Sequence, residues 1–228
     1  MELSIDTAGD MASVALSQEG ELLAETTWRC RRNHQAELMP TAVGLMERLG
    51  ARKEDLKAVF VSTGPGGYMG LRVGVSAAKG LAFALGIDLV GVPRLEADAY
   101  QQAAHPGPIC PVHQAGRGAG PATLVAWAIY EGGPAGCREA LPPSLTNLGE
   151  LIERAPAGCL FCGDMPEELA AALRKARPGA PVVRAVRRAG ALAELGWQRL
   201  LAGRLDDPAS LKPIYLREPA IGPAEAPP

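Results

Sequence analysis

The sequence predicts a two-lobed α/β protein, each lobe a mixed β-sheet covered by helices. Three features of element order predict it. The chain opens with three strand patterns in a row and then alternates helix and strand. Its second half runs through a similar order, and HPGP at 105–108 punctuates the two. Two such halves in tandem imply a duplicated protein with a cleft between its lobes.

ELSIDT, ASVALSQ and ELLAETTW read as strands, the last two joined by a turn at Glu19-Gly20. Leu38, Met39, Ala42, Val43, Leu45, Met46 and Leu49 then recur at helical spacing, closed by Gly50. Pro40 is expected in the first turn of that helix, since a proline further in would break it. AVFVS is the next strand, LRVGVSAAKGLAFAL a helix ended by Gly86, DLVGV a strand and RLEADAYQQAA helix-like. In the second half ICPV and TLVAWAIY read as strands, with Gly/Pro-rich stretches obscuring a third. SLTNLGELIERA is a helix, CLFCG a strand, PEELAAALRKA a helix, PVVRAV a strand and ALAELGWQRLLAG a helix. These patterns divide the chain into a first lobe at 1–104 and a second at 105–217. The last helix, about 190–203, is able to pack back on the first lobe. The proline-rich stretch 218–228, which lies outside the residues the structure describes, is expected to be a flexible tail.

Apolar residues make up 47% of the 228, enough for a substantial core. A net charge of −2 argues against a general polyanion binder. Asp88 interrupts LAFALGIDLVGV, so no run is long and apolar enough to span a membrane. MELSIDTAG lacks the basic start and apolar stretch of a secretion signal. Five cysteines, an odd number, fit free thiols in a reducing cytoplasm.

The most conspicuous motif is VSTGPGGYMGLRVG, with four glycines at Gly64, Gly66, Gly67 and Gly70. Glycines before a helix can cradle a phosphate. The spacing fits neither common fingerprint, because Met69 and Gly70 stand where a Walker loop needs glycine and lysine. The turn is expected to join a strand tightly to a helix, with Pro65 fixing φ. Cys159 and Cys162 form a CxxC on a predicted strand, where residues three apart point to opposite faces and cannot share an ion. His34, His105 and His113 are far apart in sequence, and His34 is read as a polar residue at a helix start. Ser62 lies in no nucleophile elbow, and no HExxH is present. Arg174, Lys175, Arg177, Arg184, Arg187 and Arg188 form a basic cluster without interleaved aromatics, read as solvated surface.

IDTAGDMASVAL, NHQAELMPTAVGLMERLG, VSTGPGGYMGLRVGVSAAKGLAFALGIDLVGVPRLEA and LKPIYLREP together resemble the TsaB (YeaZ) family of bacterial tRNA threonylcarbamoyladenosine biosynthesis. The resemblance is dense from Met1 to about Ala97, thin from Gln101 to Arg188, and returns in Asp206–Arg217. It implies the fold of the actin-like, sugar-kinase and Hsp70-like ATPases, a duplication of a ribonuclease H-like unit. In that superfamily a loop from each lobe approaches the phosphates. Here Asp6 and Thr7 occupy the first loop, while His105 to Tyr130 contains no Asp or Glu, so the phosphate loop is degenerate. The related catalytic family, TsaD, carries a metal-binding His-x-x-x-His after the strand that DLVGV resembles. Arg94 and Asp98 stand at those positions, and arginine has no lone pair to offer.

The resemblance therefore implies no metal, no catalytic residue and no cofactor in the isolated chain, with ATP or ADP held only at a complex interface. It implies a non-catalytic partner that binds and activates TsaD, with TsaE as the ATPase, and a homodimer when TsaD is absent. It implies tRNA met only indirectly and no membrane. The first two helices of the family's N-terminal lobe form the interface, which assigns Leu38, Ala42, Leu45, Leu71, Val75 and Ala78 to it. A free-standing small-molecule kinase of the same superfamily is the alternative.

Overall fold

In the computed structural model, which describes residues 1–31, 33–116, 120–133, 136–185 and 188–217, the chain forms two five-stranded sheets of one design. In the first, β1 (Glu2–Asp6) is buried throughout and sits at the centre. It pairs antiparallel with β2 (Met11–Gln18), which pairs antiparallel with β3 (Glu21–Arg29). On its other side lie β4 (Ala58–Gly64) and β5 (Asp88–Pro93), both parallel to it. The β2–β3 turn uses left-handed backbone at Glu19 and Gly20, the twist that closes a two-residue hairpin. Buried Glu2 holds that turn, accepting from the Ser17 hydroxyl at 2.6 Å and the Glu19 amide at 3.1 Å.

The second sheet repeats the plan. Strand β6 (Pro108–Gln114) is central, β7 (Leu124–Gly133) and β8 (Gly136–Asn147) follow antiparallel, and β9 (Leu160–Gly163) and β10 (Val182–Arg184) are parallel to β6 and β9 respectively. The third strand, obscured in the sequence, is thus β8, and it extends through SLTN. Prolines 142 and 143 are tolerated because β8 is an edge strand. The helix expected from Ser144 begins only at Leu148, where the Asn147 side chain caps it by accepting from the Glu150 amide.

Among the described residues six α-helices cover the sheets. Helices α1 (His34–Arg48) and α2 (Tyr68–Leu85) pack on one face of the first, their apolar stripes meeting Leu3, Ile5, Val14, Val59 and Val61. Pro40 lies in the second turn of α1, not the first. The carbonyl it leaves without a helical donor belongs to Ala36, on the exposed side of the helix where water has access. Helix α2 starts at Tyr68, three residues earlier than its apolar pattern, and ends at left-handed Gly86. Helices α4 (Leu148–Arg154) and α5 (Glu167–Ala176) cover the equivalent face of the second sheet.

Helix α3 (Arg94–Tyr100) bridges the two sheets, touching β4 and β5 as well as β6 to β9. Helix α6 (Ala189–Leu201) crosses β1 to β5 on their second face, where Leu192 and Leu195 meet Phe60, Val90 and Val92. Gly196 permits this, because a Cβ there would lie 2.3 Å from the Phe60 ring. Serine 13 and Glu25 accept from the first amides of α6, those of Ala189 and Gly190. The chain then runs back along β5. The Asp206 amide donates to the Leu89 carbonyl, its carboxylate accepts from the Gly91 amide, and the Ile214 amide donates to the Thr63 carbonyl. This strap covers what would be an open sheet edge. On this packing we propose that residues 189–217 belong with the first lobe, so the second lobe closes near Arg184 rather than at 217.

Candidate functional site

The carboxyl ends of β1, β4 and β5 face those of β6 and β9, the crevice where α/β sheets bind ligands. Strand β4 ends at Gly64, whose φ of +99° favours glycine. The Gly64–Pro65 bond is cis. Beyond it the glycines are filled by the protein's own first loop. A Cβ at Gly66 would lie 2.2 Å from the Ala8 carbonyl oxygen, one at Gly70 2.1 Å from that of Thr7, and one at Gly74 2.2 Å from Thr7 Oγ1. The Thr7 hydroxyl donates to the Gly70 carbonyl at 2.7 Å, and the Gly67 amide donates to the Ala8 carbonyl at 3.0 Å. Close approach of backbone to backbone is what these glycines permit. Asp6 is buried and accepts from the Ala8 amide at 3.0 Å, which shapes the same loop.

Helix α3 supplies the charged centre. Arg94, 4% exposed, donates from Nη1 to the Ala8 carbonyl at 3.1 Å and the Pro65 carbonyl at 3.3 Å. Its Nη2 lies 3.8 Å from Asp164 Oδ2, on the loop after β9. One turn on, buried Asp98 meets His113 Nε2 at 2.5 Å, on the central strand of the other lobe. The two positions singled out on metal grounds thus tie the lobes together: Arg94 braces three loops and Asp98 engages a histidine. Among the described residues no group of three His, Cys, Asp or Glu is placed to hold an ion.

His113 and Asp164 are members of this cluster that sequence reasoning missed. His113 was one of three scattered histidines, and only the duplicated topology brings β6 opposite α3. Asp164 follows CLFCG as Pro65 follows β4; the repeat of strand and turn could have flagged it. His34 is the first residue of α1, bonded to the Gly9 carbonyl at 3.1 Å, and His105 bonds the Gly158 carbonyl. Ser62 is buried with no hydrogen-bond partner on its hydroxyl among the described residues. Cys159 and Cys162 belong to hydrophobic clusters on opposite faces of the second sheet. Burial pushes the Cys110 and Cys162 thiols well up, so both stay protonated near neutrality.

The six residues assigned to a partner surface require correction. Leu38, Ala42, Leu45, Leu71, Val75 and Ala78 are at most 2% exposed and lie in the first lobe's own core. A helix face that packs on its own sheet is dry already. The apolar side chains that α1 and α2 turn outward are Met39, Val43, Tyr68, Met69 and Phe83, the last 83% exposed. Gly44 and Gly80 on the same helices have open space where a Cβ would stand.

The basic cluster is largely spent within the fold. Arg177 donates to the carbonyls of Ile152, Ala155 and Pro156 at the end of α4. Arg174 and Arg184 both pair with Glu167 at 2.7 Å. Arg187 lies outside the described residues. An open pocket of about 440 Å³ lies at the other end of the first sheet, lined by Lys53, Leu56, Lys57 and the stretch 85–88. It is remote from the charged centre.

Two lobes of this topology, meeting at a crevice filled by their own loops, define the fold of the actin-like ATPases, sugar kinases and Hsp70-like ATPases. An activator of 2-hydroxyisocaproyl-CoA dehydratase from Clostridium difficile, solved with bound ADPNP, shares it at a TM-score of 0.51 with 9% identity, over 89% of this chain and 96% of that one. YeaZ from Pseudomonas aeruginosa superposes at a TM-score of 0.75 with 22% identity, over 93% of this chain and 99% of that one. Residues 23–160 match the family model of TsaD, the tRNA N6-adenosine threonylcarbamoyltransferase. The tRNA threonylcarbamoyladenosine biosynthesis protein TsaB of Bacillus subtilis is 35% identical over 51% of this chain and 51% of its own length. An uncharacterized Mycobacterium bovis protein, Mb3455c, is 31% identical over 97% of this chain and 93% of its own. The chain belongs to the TsaD family and, within it, to the TsaB/YeaZ proteins. The matched stretch spans about half the length of the Bacillus TsaB.

Proposed function

We propose that this chain works in tRNA threonylcarbamoyladenosine biosynthesis as the non-catalytic partner of a TsaD-type transferase, binding and activating it in the cytoplasm. The observation that carries this reading is the outer face of α1 and α2. Met39, Val43, Met69 and Phe83 are exposed there, and two glycines leave room for a helix to approach closely. A second copy of the chain occupies the same face when the transferase is absent, and TsaE joins the assembly as ATPase. The crevice supports the non-catalytic part. Thr7, Ala8 and Arg94 pack into the space beside the glycine turn, so the isolated chain uses that space for its own structure.

The test is co-purification of the transferase with Phe83→Glu and Val43→Glu. Both side chains are exposed, so circular dichroism and thermal unfolding stay normal while the complex is lost. Retention of the transferase at normal affinity by both variants would sink the reading.

A further inference from the structure

The chain holds only three phenylalanines, four tyrosines and three tryptophans, and among the described residues three aromatics are markedly exposed: Tyr68, Phe83 and Tyr215. Two of them come together from well-separated parts of the sequence. The rings of Tyr68, at the start of α2, and Tyr215, at the end of the strap, are 5.1 Å apart and tilted by 38°. The Arg72 guanidinium sits 5.2 Å from the centre of the Tyr68 ring, and its Nη1 donates to the Tyr68 hydroxyl at 2.8 Å.

Anchoring the strap does not require this stack. Asp206 already binds the edge of β5, Lys79 donates to the Leu211 carbonyl at 3.0 Å, and the Ile214 amide binds the Thr63 carbonyl at 2.7 Å. The local charge is one-sided as well. Tyr68–Leu85 contains no Asp or Glu, and neither do residues 208–217, which bring exposed Lys212 and Arg217. Arg217 reaches toward the second lobe, its Nη1 lying 3.7 Å from where a Cβ on Gly116 would stand.

Stacked, half-open aromatic rings with a guanidinium against one of them suit unpaired nucleobases, because every base has a π-face and its phosphate needs a cation. We propose that Tyr68 and Tyr215, with Arg72, Lys212 and Arg217, form a contact for a single-stranded RNA segment such as a tRNA loop. The proposal rests on the role in tRNA modification, and it replaces the expectation that tRNA is met only through the transferase. A duplex offers its bases no access to such a platform, so unpaired loops are selected.

The probe is a fluorescently labelled RNA hairpin with an open loop of unpaired bases, compared with a blunt duplex of the same stem. Binding is measured with the full chain, alone and with a TsaD-type transferase. Tyr68→Leu and Tyr215→Leu each weaken hairpin binding by about five- to tenfold and leave duplex binding unchanged. Arg217→Gln, at an exposed site, lowers the salt dependence by about 0.7 in log–log slope. Unchanged hairpin affinity in both tyrosine variants overturns the proposal, as does equal affinity for hairpin and duplex, or no binding by the wild type. Loss of transferase binding with RNA binding intact assigns the patch to a protein and overturns it too. Phe83→Glu on the same RNA gives the independent reading: its failure to release the transferase strikes the proposed function without touching the tyrosines.

Discussion

The two lobes share a sheet and differ in what covers it. Strand orders β3-β2-β1-β4-β5 and β8-β7-β6-β9-β10 are the same design written twice. The helices are not. The first lobe carries α1 and α2, of 15 and 18 residues, with Met39, Val43, Met69 and Phe83 turned to solvent. The second carries α4 and α5, of 7 and 10 residues, whose exposed positions include Glu153, Arg154, Glu167, Glu168, Arg174 and Lys175. Both lobes bury their inner stripes. Among the described residues only the first lobe's helices leave large apolar groups outside, which is the difference the proposed partner surface rests on.

The sharpest break in this comparison is Val75→Glu. The family resemblance assigns that position to an interface, yet it is 2% exposed and packed on the sheet. An unpaired carboxylate there costs at least about 4 kcal/mol, enough to remove the cooperative thermal transition. Leu173→Glu in the second lobe does the same, since both inner stripes are core.

Next comes the junction. Asp98→Asn removes the charged partner of buried His113 and lowers stability by about 3 kcal/mol in denaturant unfolding. A change under about 1 kcal/mol would show that the lobes are held elsewhere. Gly70→Ala follows at about 2 kcal/mol, because the added methyl meets the Thr7 carbonyl and not a flexible side chain.

Outer-face changes separate the lobes with little cost in stability. Phe83→Glu shifts unfolding by less than about 0.5 kcal/mol yet weakens transferase binding about thirtyfold or more. Lys175→Glu, the matching outward change on α5, alters neither. The smallest expected signal comes from calorimetry with ATP and Mg²⁺ on the isolated chain: no binding heat and no turnover. A stoichiometric nucleotide, with phosphorylation abolished by Asp6→Ala, would favour the free-standing kinase.

Much of the fold was legible because periodicity reports burial. The three opening strands and the alternation through DLVGV followed from it, as did the opposite faces of Cys159 and Cys162. Three features were not legible, each for a physical reason. A helix's apolar stripe marks what it buries, so Leu38 and Val75 named the core, while the outward surface lay in the few apolar residues off that stripe. Strand β8 hid because its prolines sit on an edge. The His113–Asp98 and Arg94–Asp164 pairs join residues 15 and 70 positions apart, which local spacing cannot reveal.

The return of α6 and the strap to the first sheet has a consequence for how the protein is made. Phe60, Val90 and Val92 emerge from the ribosome roughly a hundred residues before Leu192 and Leu195, the side chains that cover them. Throughout that interval the early lobe has one finished face and one greasy one. A nascent chain stalled after Tyr100 should therefore be held by hydrophobic-binding chaperones and released once residues up to 217 are out. Ribosome-bound chains of increasing length, tested by limited proteolysis, would show protection of β4 and β5 arriving late and all at once.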